Sequence, residues 1–310
     1  MNPSDGICAN VLNLAARHGD GTLATSATRI LSSRRTALTP LHYEALLASY
    51  TGAGDMHTAF RVLGIMTTAG FEPDSGTTRP LFSHLTSADG RPHSAWEILR
   101  THFEDGHLIP TAAINVIIEA YIRLENFEQA INVYKELHTV CETGPNIETI
   151  NVLLQGAERR KAKETAMFLA SEMVALGIKP NLLTYDRLIM VCLHEQDYED
   201  AFNYLEEMVE VGKNQYQDTG RKGWWMRKGT AFAMIQKCAA SSSDPRGISI
   251  LEEAVQRGVL DHEYANQLYR NLYGGVRLNI QNPIEGLPEK HSEFDSGHTC
   301  ESGLTAWSTS

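Results

Sequence analysis

Cysteine is sparse and scattered. Cys8, Cys141, Cys192, Cys238 and Cys300 are spread over 310 residues. No C-x-x-C or Cys/His spacing marks a zinc site, and the pattern fits a reducing compartment. Long apolar runs are lacking too. Nothing approaches the roughly 18 residues of a membrane span, so no membrane insertion is expected. Met1 to Gly6 is polar, carries Asp5 and has no arginine, so no organellar presequence is read there. Cations are outnumbered, with 27 Lys and Arg against 38 Asp and Glu for a net charge of −11. Affinity for a phosphate backbone rests mainly on Lys and Arg, so a nucleic-acid surface here requires a local patch. Catalytic patterns are missing. His194-Glu195 meets Tyr198 where a zinc-protease helix needs its second histidine. Gly19-Asp20-Gly21 and Gly52-Ala53-Gly54 are too short for phosphate loops, and Glu206-Glu207 reads as a solvated helix face. Neither an enzyme nor a cofactor or metal site is expected.

What the chain does have is a period. Ala59, Ala95, Ala130, Ala166 and Ala201 follow one another at intervals of 36, 35, 36 and 35 residues. A fixed spacing of this size marks stacked supersecondary units rather than one globular core. In the unit from Pro40, Tyr43, Leu46, Leu47 and Tyr50 form one helical stripe, and Ala59, Phe60, Leu63 and Met66 form a second. Gly52 and Gly54 are read as the break between them, and Gly70 followed by Pro73 as the stop. The same pairing recurs in the units opening at Thr111, Ile147 and Leu182, with Gly212 ending the last. It recurs more weakly from Ser75, where Arg91-Pro92 interrupts it and Gly106 ends it. Helices of about 12–14 residues are marginal alone in water, so each pair must bury its stripes against its neighbours. The alanine column lets backbones approach, and Cys192 falls on a stripe as a buried thiol. The expected fold is all-α, an α-solenoid superhelix of stacked helix-turn-helix repeats forming one right-handed array.

Gly177-Ile178-Lys179-Pro180-Asn181-Leu182-Leu183-Thr184-Tyr185 resembles the junction between two pentatricopeptide repeats, and so does Gly70-Phe71-Glu72-Pro73-Asp74. Thr184-Tyr185 fits the family opening. Ala59, Ala166 and Ala201 fit position 20, Met66, Met173 and Met208 position 27, and Gly70, Gly177 and Gly212 position 31. Tetratricopeptide repeats, the main competitor, want a small residue where this chain has Leu47, Phe82, Ile118, Leu154 and Ile189. The resemblance, of fungal mitochondrial type, sets five units at 40–74, 75–110, 111–146, 147–181 and 182–216. Residues 1–39 read as a degenerate N-terminal repeat, 217–278 as a divergent helical cap in which Tyr264, Leu268 and Leu272 close the array, and 279–310 as a disordered acidic tail.

In this family each repeat reads one base of single-stranded RNA with two or three side chains. The resemblance carries that role to Asn115 with Asn146 and to Asn151 with Asn181, a combination that prefers pyrimidines. An amide offers both donor and acceptor to a base edge. The alternative is that these asparagines cap helices or face water. Leu183, and Leu41 in the first unit, are placed to pack on a base, whereas Gly76 and Ala112 offer little and Glu148 is unfavourable near RNA. Glu44 with Asp74 is an acidic pair, Arg79 has only Pro110 near its partner position, and Asp186 has no assigned partner. Arg221, Lys222, Arg227 and Lys228 surround Trp224 and Trp225. Cations hold phosphate and aromatics stack on bases, while the competing reading is tryptophan packing on the array or a protein contact.

The resemblance implies a mitochondrial single-stranded RNA-binding factor acting in transcript stability, processing or translation, with no DNA partner. Its zinc-deaminase relatives' signature, His-x-Glu with Cys-x-x-Cys, is absent. The missing presequence, and an opening inside a worn repeat, suggest an incomplete version of a longer protein. The alternative function is a helical-repeat scaffold with protein partners, such as a respiratory-complex assembly or ribosome-associated factor.

Overall fold

A computed structural model describes residues 4–34, 36–216, 226–240, 244–256 and 260–274. The described residues form α-helices only. In chain order these are α1 (Asp5–His18), α2 (Gly21–Ser33), α3 (Pro40–Ala53), α4 (Met56–Thr68), α5 (Arg79–Leu85), α6 (Arg91–Glu104), α7 (Thr111–Arg123), α8 (Phe127–Val140), α9 (Ile147–Arg160), α10 (Lys163–Ala175), α11 (Leu182–His194), α12 (Tyr198–Tyr216), α13 (Lys228–Ala240), α14 (Pro245–Gln256) and α15 (His262–Tyr273). The chain divides into two compact units, 1–237 and 238–310. The first is an α-solenoid in which α1, α3, α5, α7, α9 and α11 each pack on the next. Every one of them also packs on the helix that follows it.

Several of the second helices start on short polar caps, whereas Gly90 and Ala162 cap α6 and α10 without a side-chain bond. Asp20, Asp55 and Asn126 accept from the backbone N–H three residues on, which satisfies one of the otherwise orphaned amides of the first turn. Behind each cap lies the alanine column. Ala59, Ala95, Ala130, Ala166 and Ala201 are at most 1% exposed, and Ala24 of α2 extends the column by one more unit. A methyl at these positions brings the paired helices together without displacing their large neighbours, Leu47, Leu63, Ile117, Leu137 and Leu154, all fully buried. Burying each such leucine contributes about 1.5–3 kcal/mol, so the stack is held by repeated apolar burial rather than by helix propensity.

Several boundaries differ from the sequence reading. Gly52 lies inside α3, where its bare Cα faces Gly19. The break is carried by Gly54, in the left-handed region at φ 78°. Arg91-Pro92 does not interrupt a unit but opens α6, because the first turn of a helix tolerates proline. Gly212 does not end α12, which runs on to Tyr216. Gly64 has a spatial role. A β-carbon there would sit 2.8 Å from the Leu108 carbonyl oxygen, so glycine lets the loop between α6 and α7 rest on α4.

Cys8, Cys141, Cys192 and Cys238 are buried free thiols, and burial pushes Cys192 up to about 11. In the second unit, α15 packs on α14, with Ala265 and Leu268 buried and Tyr264 48% exposed. The segment 279–310 lies outside the described residues. No described helix is long and apolar enough to cross a membrane.

Candidate functional site

The N-terminal turns of the first helices carry the polar residues singled out above, and the structure joins them in pairs. Asn115 on α7 donates from Nδ2 to Oδ1 of Asn146 at 3.2 Å. Asn146 is the N-cap of α9, where its Oδ1 also accepts the Thr149 N–H at 3.0 Å. The Thr149 hydroxyl accepts from the Asn146 N–H at 3.1 Å and donates to Asn115 Oδ1 at 2.7 Å. One unit later the arrangement repeats. Asn151 Nδ2 donates to Asn181 Oδ1 at 3.3 Å, and Thr184 donates to Asn151 Oδ1 at 2.9 Å. Thr184 also completes a capping box with Asn181.

The two alternatives for these asparagines therefore divide between them. Asn146 and Asn181 are helix caps. Asn115 and Asn151, at 6% and 5% exposure, are buried supports that fix the caps' orientation. Their buried amides are paired, as buried polar groups must be. The carbonyl oxygens of both pairs accept hydrogen bonds within the network. The Asn146 and Asn181 Nδ2 groups donate to no protein atom among the described residues, so the outward edge is a hydrogen-bond donor.

Parts of the same geometry recur on both sides with acids in place of amides. Thr77 donates from its backbone N–H to Asp74 Oδ1 at 2.8 Å, and its hydroxyl lies 3.4 Å from Glu44 Oε1. The Thr77 N–H holds Asp74 below the usual carboxylate range. At the other end the Thr230 hydroxyl donates to Asp186 Oδ1 at 2.6 Å. Asp186 therefore has a partner that the sequence reading could not place. Among the described residues, the junction between α5 and α7 breaks the series. Arg79 is exposed, Pro110 caps α7 with no side-chain bond, and Ala113 stands where the threonine would be.

Ala112, Asn115, Glu148, Asn151, Leu183 and Arg187 line one cleft of about 280 Å³ across α7, α9 and α11. Leu183 thus lies beside the Asn151 pair, whereas Leu41 is 72% exposed and outside that cleft. Burial, and then the charge of Asp74, raises the Glu148 carboxyl above its ordinary value. Arg187, 9% exposed, donates to the Asn151 backbone carbonyl. Burial brings its guanidinium down to about 10, against the pull of Glu158, and it stays a cation at neutral pH. Sequence reading missed Arg187, and the available signal was a lone arginine inside the Tyr185, Leu188, Ile189 stripe.

The proposed phosphate contacts are only partly placed. Arg221, Lys222, Trp224 and Trp225 lie outside the described residues. Arg227 sits 3.4 Å from Asp186 Oδ2 with its side chain 60% exposed, and Lys228 is exposed at the start of α13. Arg227 is therefore brought to the Asp186 end of the series rather than left on a free loop.

Residues 5–137 match the family description "Pentatricopeptide repeat-containing protein", and residues 168–213 match "Pentatricopeptide repeat domain". A mitochondrial pentatricopeptide repeat-containing protein of Arabidopsis thaliana is 23% identical over 233 residues, covering 70% of this chain and 37% of its own. A second mitochondrial relative from Arabidopsis thaliana is 22% identical over 187 residues, covering 60% and 28%. A chloroplastic one is 24% identical over 130 residues, covering 42% and 24%. The chain thus spans well under half the length of these relatives. Among solved structures, PPR10 in complex with an 18-nt psaJ RNA element has a TM-score of 0.42 at 19% identity, covering 82% of this chain and 40% of that one. PPR10 from maize has a TM-score of 0.44 at 18% identity, covering 84% and 39%.

Proposed function

Since the chain belongs to the pentatricopeptide-repeat family, we propose that it binds single-stranded RNA along the N-terminal turns of α7, α9 and α11. The observation that carries the reading is the repeated Asn–Asn–Thr network. It holds two outward amide donors, on Asn146 and Asn181, one structural unit apart. A donor edge suits bases that offer adjacent acceptors. Cytosine does so with O2 and N3, and uracil offers its carbonyl oxygens on either side of an N–H. Leu183 would pack on the base beside Asn181. Arg187 and Arg227, with Arg221, Lys222 and Lys228, would supply cations, and Trp224 and Trp225 the aromatic faces. We place this binding in mitochondria, for which two of the relatives are named, and assign it to stability, processing or translation of transcripts there.

The test is competition among homopolymers. Purified chain should retain poly(C) most strongly, then poly(U), with poly(A) and poly(G) weakest at the same salt. Equal retention of all four would remove the base-reading role and leave only charge.

One observation favours the second reading, a protein scaffold. Glu44, Asp74 and Glu148 make the Asp74 end of the series acidic, and such a surface repels phosphate while suiting a basic protein segment. Retention of a basic protein with no RNA binding would establish that reading.

A further inference from the structure

The series of polar pairs has one gap, and a cavity lies at the gap. Pro110 has no side-chain acceptor, Ala113 has no hydroxyl, and Arg79 is exposed, so nothing at that junction resembles the pairs on either side. Beside it opens a cavity of about 560 Å³. Pro73, Phe103, Leu108 and Val140 form an apolar part of its wall, His107 and Thr143 a polar part, and Ala112 borders both this cavity and the cleft described above. Asn146, whose outward amide belongs to the first intact pair, stands at its edge.

The cavity walls are held in place. The loop carrying Leu108 rests on Gly64, where a side chain would collide with it. The opposite wall is tied down by Thr111, whose hydroxyl lies 2.8 Å from that of Thr143 and donates to the Gly144 carbonyl at 2.9 Å. Phe103 is 41% exposed, so part of its ring is open to solvent. Glu72 and Glu142 also line the cavity and are exposed. Two carboxylates repel phosphate but accept hydrogen bonds from base N–H groups.

We propose that this cavity takes one splayed nucleobase of the RNA strand bound in the neighbouring cleft. The strand crosses the junction without being read, and the unread base turns out of line and stacks on Phe103. Base–aromatic stacking is tolerant of sequence. The carboxylates favour guanine, whose Watson–Crick edge presents N1–H and an amino group. This inference rests on the proposed RNA binding, and its test separates the two.

The full chain is irradiated with a random single-stranded RNA pool carrying 6-thioguanosine or 4-thiouridine, and crosslinked peptides are mapped. We expect 6-thioguanosine to label the segment 103–112, and either nucleotide to label the segment around Asn151. Phe103→Ala should remove the first label, keep the second and weaken RNA binding about five-fold, the equivalent of ~1 kcal/mol of stacking. Phe103→Trp should retain both. Because Phe103 is partly exposed, Phe103→Ala should melt close to the wild type. Labels around Asn151 alone, with Phe103→Ala binding unchanged, would overturn the cavity and leave the cleft standing. No RNA label anywhere would overturn both. Saturation-transfer signals from free guanosine monophosphate that vanish in Phe103→Ala, with RNA labels confined to Asn151, would replace the strand-borne base by a free nucleotide.

Discussion

Asn115 and Asn146, 31 residues apart in the chain, are joined by a 3.2 Å hydrogen bond from Nδ2 to Oδ1. One side chain belongs to the interior of α7 and the other caps α9. The contact therefore couples the stacking of two units to the orientation of a polar group at the surface. Removing Asn115 takes from the buried Thr149 hydroxyl its 2.7 Å acceptor and leaves it Asn146 Oδ1 at 3.0 Å. Asn115→Ala should cost about 0.5–1.5 kcal/mol, the net worth of a typical hydrogen bond, because Thr149 keeps Asn146 as an acceptor. Asn115→Ala combined with Thr149→Val should cost less than the two single changes added together. Urea denaturation of all three variants measures this, and strict additivity would mean that the network is not a unit.

Protonation should tune the cleft through Glu148. Burial and then Asp74 raise its carboxyl, so it takes up a proton more readily in the folded chain than a free glutamate does. Its contribution to stability is present below the ordinary glutamate range and is lost as pH rises through the raised value. A phosphate arriving nearby also favours the neutral form. RNA affinity should therefore rise as pH falls from 7 to 5, beyond any change in Glu148→Gln. Parallel pH profiles for the two proteins would show that Glu148 does not face the bound strand.

His102 sets the opposite acid response for folding. It is 1% exposed with Nε2 unpartnered, and its ring is 4.1 Å from that of His57 and 5.4 Å from that of His107. Burial first, then the charges of His57 and His107, lowers it to about 4. A depressed folded pKa gives stability that is present above the unfolded value and lost as pH falls toward 4. The melting temperature should fall more steeply between pH 6.5 and 4 in wild type than in His102→Leu. Equal slopes would place the acid sensitivity elsewhere.

The alanine column should not tolerate bulk. Ala130 has no exposed surface and sits where α8 meets its partner helix. Ala130→Leu should destabilise the first unit by about 1–3 kcal/mol through overpacking. Ala53→Leu, at the exposed end of α3, serves as the control and should change stability by less than about 0.5 kcal/mol. Calorimetry of the two variants is enough to decide.

The periodic features were the legible ones. The alanine column and the paired stripes follow from helical geometry and burial, which depend on residue type and spacing alone. The Asn pairs were visible as positions in a pattern, but their division into support and cap was not, because it depends on which carbonyl faces which N–H. Thr149 and Thr184 left a readable trace. Each stands three residues after an asparagine, the spacing of a capping box, and Thr77 follows Asp74 in the same way. Arg187 left less, since its place is set by the Asn151 carbonyl and by Glu158, which only the fold brings near. The helix through Gly212 was misread because glycine disfavours helix by only about 1 kcal/mol, less than the burial of Met208 one turn earlier returns.

The most direct measurement is binding of the purified chain to a random single-stranded RNA pool across a salt series, with Asn146→Ala/Asn181→Ala alongside. These two caps carry the outward donors, and unlike Asn115 and Asn151 they are not buried. The account predicts salt-sensitive, pyrimidine-selective binding by the wild type, and loss of the selectivity in the double variant with the salt slope kept. Selectivity that survives in the double variant, or no binding even at low salt, would contradict it.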